Sequence, residues 1–121
     1  MGISLIVAAM LASGSPAAVE QVDVAYAPLA QGAPAAAVEK LENDCALEKS
    51  DPARLINLGI AHAQLGNTAE ARAAFEAAIA QRERFQLETA SGEWVDSRNL
   101  ARIALAKLDN GEFAPRMASV D

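Results

Sequence analysis

Ile60-Ala61-His62-Ala63-Gln64-Leu65-Gly66-Asn67-Thr68-Ala69-Glu70-Ala71-Arg72-Ala73-Ala74-Phe75-Glu76 is the stretch on which the fold turns. It reads as the end of one apolar helix, a reversal at Gly66 and the start of a second helix. A chain that turns back between antiparallel helices needs a left-handed residue past the C-cap, and glycine takes that conformation at no steric cost. The pattern has an echo upstream. At a shift of 34 residues, the run from Tyr26 to Glu42 sets Gly32 on Gly66, Ala35 on Ala69, Ala37 on Ala71, Leu41 on Phe75 and Glu42 on Glu76. Each block reads helix, glycine turn, helix, which is the signature of a repeat architecture.

Start and stop signals agree with this reading. Asp51 before Pro52 predicts an N-cap followed by proline at the first helical position. Asn67 with Glu70 has capping-box spacing and opens a helix expected to run to about Gln81. Within it Ala71, Ala74, Phe75, Ala78 and Ile79 form one apolar stripe, and Leu55, Leu58, Gly59 and His62 do the same in the preceding helix. A third helix is expected from about Ser97 to Leu108, with Leu100, Ile103, Ala104 and Leu108 on one face and a stop at Asn110-Gly111.

The spacing of Leu55, Leu58, Gly59, His62, Ala71, Phe75 and Ala78 resembles the tetratricopeptide repeat, with His62 where that family usually has Tyr. Residues 52–85 resemble one good repeat and 18–51 a degenerate one. Leu100, Ile103, Ala104 and Gly111 match Leu55, Leu58, Gly59 and Gly66 at a shift of 45, so residues 97–113 resemble the first helix of a third repeat displaced by an insertion. The resemblance implies an all-α helix-turn-helix solenoid of about two and a half repeats, about five helices, in which each pair buries its apolar face by stacking on the next. The expected layout is a leader over residues 1–18, a helical domain over 19–113 with an inserted loop at 84–96, and a tail over 114–121.

Composition narrows the function. The chain has 121 residues, enough for one small domain, and about a quarter of them are alanine. Its net charge of −6 argues against a general nucleic-acid or anionic-membrane binder, because phosphate contacts need excess Lys and Arg. One Cys and one His exclude an intramolecular disulfide and leave too few ligands for structural zinc.

At the N-terminus, Ile3 to Ala12 is an apolar core, followed by Ser13-Gly14-Ser15-Pro16-Ala17-Ala18. It is too short to span a bilayer, and the pattern fits a secretory leader cleaved near Ala17 or Ala18, although no Lys or Arg precedes the core. The other reading is a buried N-terminal helix. Export to the periplasm or medium, with no membrane insertion after cleavage, is the expectation.

No nucleophile–base pair, phosphate loop, metal motif or cofactor site is recognisable, so a non-catalytic protein is expected. His62 sits on an apolar stripe and reads as a packed residue; Cys45 reads as a small, partly buried one. Glu39, Glu42, Asp44 and Glu48 read as a solvated helix face. The insertion from Arg84 to Asp96 alternates apolar and polar around Ser91-Gly92, which suits a short hairpin or an extended excursion. Either Phe85, Leu87 and Trp94 fold back over the second repeat, or Trp94, the only tryptophan, anchors a partner.

In the tetratricopeptide family the first helices of the repeats line a concave groove that grips protein segments. The resemblance places Tyr26, Asn57, Gln64, Arg98 and Arg102 there. Arg98 and Arg102, four residues apart, with Asn57, resemble part of a clamp for a peptide carboxylate, so an acidic partner is one expectation. Val22 and Tyr26 stand where that clamp would have Lys and Asn, and Arg98 has Glu93 and Asp96 nearby as alternative partners. Self-association into a structural subunit, with no separate ligand, is the other reading.

Overall fold

A computed structural model describes residues 7–11, 29–43 and 48–113. Four helices lie in this part of the chain: α1 (Pro34–Asn43), α2 (Pro52–Gln64), α3 (Thr68–Ile79) and α4 (Ser97–Asp109). Three strands accompany them: β1 (Val7–Leu11), β2 (Gln86–Thr89) and β3 (Trp94–Asp96), in one antiparallel sheet of order β1-β2-β3. The described part of the chain is therefore mostly helical, compatible with the all-α expectation, with a small sheet beside the helices. The first of the expected helices lies outside the described residues, except for its end at Leu29-Ala30.

The helix boundaries follow from local chemistry. Asp51 caps α2, its carboxylate accepting the Arg54 N–H at 3.0 Å, with Pro52 at the first position where no hydrogen-bond donor is needed. Asp96 caps α4 in the same way, accepting from the Asn99 N–H at 3.1 Å. Asn67 is the N-cap residue of α3, but the expected capping box does not form. Its side-chain amide turns instead to His62 Nδ1, 3.1 Å away. Helix α3 ends at Ile79 rather than Gln81, because the Gln81 side chain folds back onto the Ala77 carbonyl and its own carbonyl accepts from Arg98.

Several residues related by the shifts of 34 and 45 share backbone conformation or burial. Gly32, Gly66 and Gly111 all adopt left-handed conformations, at φ of 75°, 85° and 72°, each just past a helix. Ala37 and Ala71 are both fully buried, as are Leu41 and Phe75. Consecutive helices pack on one another, α1 on α2, α2 on α3 and α3 on α4. Helix α2 is central and is buried at every position from Pro52 to Ala61, where a surface helix would bury only a stripe. The core it anchors runs through Leu29, Leu41, Ile56, Ile60, Phe75, Leu87 and Leu100. Phe113 closes the far end, its ring centroid 6.3 Å from that of Phe75.

The insertion is a β-hairpin. Its turn is closed by Gly92 N–H to the Thr89 carbonyl at 2.9 Å and Thr89 N–H to the Glu93 carbonyl at 2.8 Å, with Gly92 at φ 88°. At its base Ser97 N–H donates to the Phe85 carbonyl and the Phe85 N–H donates to Ser97 Oγ, so the hairpin leads directly into α4. Residues 7–11 form a strand, not a helix, and pair with the outer edge of β2. The expected cleavage region near Ala17 and the tail from 114 lie outside the described residues.

Candidate interaction surface

The residues expected to line a groove have separate fates. Tyr26 lies outside the described residues. Asn57 is fully buried, and no buried side-chain nitrogen or oxygen among the described residues lacks a partner, so its amide is satisfied inside the protein. Gln64 is half-buried at the C-terminal end of α2. Arg98 is half-buried, and its guanidinium donates to the Gln81 carbonyl, from Nε at 3.0 Å, and to the Arg82 carbonyl at 3.1 Å. It thereby ties the segment that leaves α3 to the first turn of α4. Arg102 is exposed, with only a 3.4 Å contact to Asn99 Oδ1 on its own helix. In this conformation Asn57 and Arg98 are engaged within the fold, and Arg102 is the one member of the expected clamp open to solvent.

Trp94 is 46% exposed. The reason is register: Leu87 pairs with Val95 and Glu88 with Trp94, so alternation sends Leu87 and Val95 inward and Glu88 and Trp94 outward. Leu87 is fully buried and Phe85 packs against the core, so two of the three large apolar residues of the insertion fold back and the tryptophan does not.

Two further large apolar side chains are exposed, Leu65 at 41% and Ile103 at 44%. Ile103 corresponds to Leu58 at the shift of 45, yet Leu58 is only 9% exposed. Leu58 lies in a helix covered on its flanks, whereas Ile103 lies on α4, the last helix among the described residues.

His62 is packed, its side chain 12% exposed, with Asn67 on Nδ1 and the Glu42 carboxylate 3.9 Å from Nε2. Glu39, Glu42 and Glu48 are exposed, while Asp44 and Cys45 lie outside the described residues. Among the described residues no group of three His, Cys, Asp or Glu side chains is placed to hold a metal ion. No helix there is long and apolar enough to cross a membrane.

Two features escape sequence reading. Arg54, buried at 8% exposure, donates from Nε to the Leu41 carbonyl and from Nη1 to the Lys49 carbonyl, both at 3.2 Å, and so ties the end of α1 to the start of α2. An arginine in the first turn of a helix with no other Lys, Arg, Asp or Glu was the available signal. The second is the outer edge of β2, covered by residues whose apolar run reads as a leader.

No protein-family model matches this chain, and no curated protein or solved structure matches it either.

Proposed function

We propose that this chain is an exported, non-catalytic interaction module of the tetratricopeptide kind, about two and a half repeats long, that binds a protein or peptide segment. The observation that carries the reading is the equivalence of Gly32, Gly66 and Gly111, all left-handed and spaced by 34 and 45 residues, together with the matched burial of Ala37 with Ala71 and Leu41 with Phe75. A stack built this way presents helix ends and faces to partners. With Asn57 inside and Arg98 on the carbonyls of Gln81 and Arg82, partner contact falls to Trp94, Arg102 and Gln64. Arg102 suits an acidic group and Trp94 an apolar one. The leader-like N-terminus is what supports a periplasmic or extracellular location in this reading.

Exposure of Ile103 favours a second reading. Its repeat equivalent is buried under neighbouring helices, so the end of the stack suits a second copy of the chain, making the protein a self-associating structural subunit.

Sedimentation across a concentration series, combined with crosslinking in the native envelope, separates the two. A monomer that crosslinks to another protein through Trp94 or Arg102, and loses it in the folded Trp94→Ser/Arg102→Glu variant, supports the interaction module. A fixed oligomer that Ile103→Asp dissociates supports the subunit. A partner retained in full by the double variant overturns the assignment of Trp94 and Arg102.

A further inference from the structure

The outer edge of β2 is covered by a strand that fits it poorly. Val7 lies opposite Thr89 and Leu11 opposite Leu87, so a four-residue step in β1 spans a two-residue step in β2, and the register is broken between them. Such a bulge leaves extra residues unpaired and disrupts the ladder. The same strand rests against α2, the helix buried from Pro52 to Ala61. The strand thus fills a slot between a sheet edge and the central helix, and it is drawn from the apolar run that the export reading assigns to a leader.

The slot has defined hydrogen-bonding groups. Thr89 N–H donates to the Glu93 carbonyl just before β3, and the Phe85 carbonyl accepts from the Ser97 N–H just after it, so both face the β3 side. Main-chain groups alternate sides along an antiparallel strand, so those of Gln86 and Glu88 point to the opposite edge, the one that β1 covers. Removing β1 would leave this edge unpaired beside buried apolar side chains such as Leu87, which is fully buried.

We propose that the β2 edge is a strand-acceptor site: Val7–Leu11 is its resident occupant in the unprocessed chain, and after leader cleavage it takes an extended apolar segment of a partner protein by antiparallel strand addition. This inference rests on the export reading for its trigger, although the acceptor chemistry stands apart from it. Strand addition draws affinity from main-chain hydrogen bonds and specificity from alternate side chains, which suits an edge whose neighbouring positions alternate between buried and exposed.

The test uses the full chain carrying a protease site within residues 13–18, folded first and cut afterwards. The probe is a labelled synthetic peptide of residues 3–12. In the uncut chain the amides of Gln86 and Glu88 should exchange slowly with deuterium, and the peptide should not bind, because the tethered strand holds the edge at high effective concentration. After cutting, excess labelled peptide should replace the nicked segment on the edge; a segment that stays and keeps the peptide out would overturn the uptake of a partner strand. Glu88→Pro removes one donor from that edge and leaves the bonds to β3 intact, so it should lower peptide uptake at least tenfold, while Glu88→Ala should not.

Fast exchange at Gln86 and Glu88 in the uncut chain would overturn the proposal. So would a cut, folded chain that loses its segment and takes up no peptide, or equal uptake by Glu88→Pro. A dimer that exchanges Val7–Leu11 between copies would overturn the partner assignment in favour of a swapped strand. Sequencing the N-terminus of the native protein separately tests the export reading: an uncut terminus removes the trigger and leaves the peptide result standing.

Discussion

The ring of Phe75 occupies the space that a Cβ at Gly59 would need: an added methyl would meet three ring atoms, all within 2.9 Å. This contact sets how closely α2 and α3 approach, and it explains a glycine in the middle of a helix, a position that ordinarily costs about 1 kcal/mol against alanine. Gly59→Ala should therefore destabilise the protein by about 1–2 kcal/mol despite its better helix propensity, because overpacking outweighs the propensity gain. Denaturant unfolding of Gly59→Ala, Phe75→Leu and the double variant checks it. The double variant should lose less than the sum of the singles, since the smaller side chain relieves the clash.

Arg98 and Arg102 lie four residues apart on α4 but should behave differently. Arg98 holds the carbonyls of Gln81 and Arg82, whereas Arg102 is exposed. Arg98→Ala should cost about 1–2 kcal/mol by leaving the carbonyls of the segment after α3 without their donor. Arg102→Ala should stay within about 0.5 kcal/mol of the wild type. Thermal and denaturant unfolding of both variants measures the difference; equal stability would remove the tying role assigned to Arg98.

Gly66 and Gly111 have open space around the position of a Cβ, so steric crowding gives no reason for glycine at either. The reason is the backbone, at φ 85° and 72°. Substituting alanine at either should cost about 1–2 kcal/mol, the strain of holding an L-residue in the left-handed region. Gly66→Asn should cost less than Gly66→Ala, because asparagine enters that region more readily. Unfolding midpoints of the three variants test the order.

These glycines also show what was legible in the sequence. Helix starts at Asp51 and Asp96, the reversals at Gly32, Gly66 and Gly111 and the hairpin around Ser91-Gly92 each depend on a local residue preference, and local preferences can be read from one chain. Failures occurred where a side chain had a choice of distant partners. Asn67 chose His62 over its own helix. Arg98 chose the carbonyls of Gln81 and Arg82, just past α3, over an open surface, and Asn57 went inside because α2 is covered on its flanks. The apolar run at Val7–Leu11 carries no mark of the edge that it covers, since pairing depends on a strand far along the chain.

Acid should loosen the end of α4 selectively. Hydrogen bonding to Lys107, reinforced by Asn110, holds the Glu112 carboxyl below its ordinary value. A lowered folded-state value means that the folded chain binds this proton less readily than the unfolded chain. Its contribution to stability is present above the ordinary carboxylate range and is lost as the pH falls through the lowered value. The pair is exposed, so the effect is local and screened by salt. Carboxyl chemical shifts followed by NMR should show Glu112 titrating lower than a free glutamate, and Lys107→Met should return it toward the ordinary range.

Trp94 and Leu87 lie on opposite faces of one hairpin, and substitution should read that difference directly. Leu87 is fully buried, so Leu87→Ala should cost about 2–5 kcal/mol through lost contact and the cavity left behind. Trp94 is 46% exposed, opposite Glu88, and Trp94→Ala should cost under about 1 kcal/mol. As the only tryptophan it should also emit at long wavelength in the folded protein and be quenched readily by acrylamide. A blue-shifted, protected emission in the isolated chain would place the ring under cover, and Trp94 would then lose its role as an open anchor for a partner. If the emission shifts to the blue only when a partner binds, the shift reports burial of the ring at the interface.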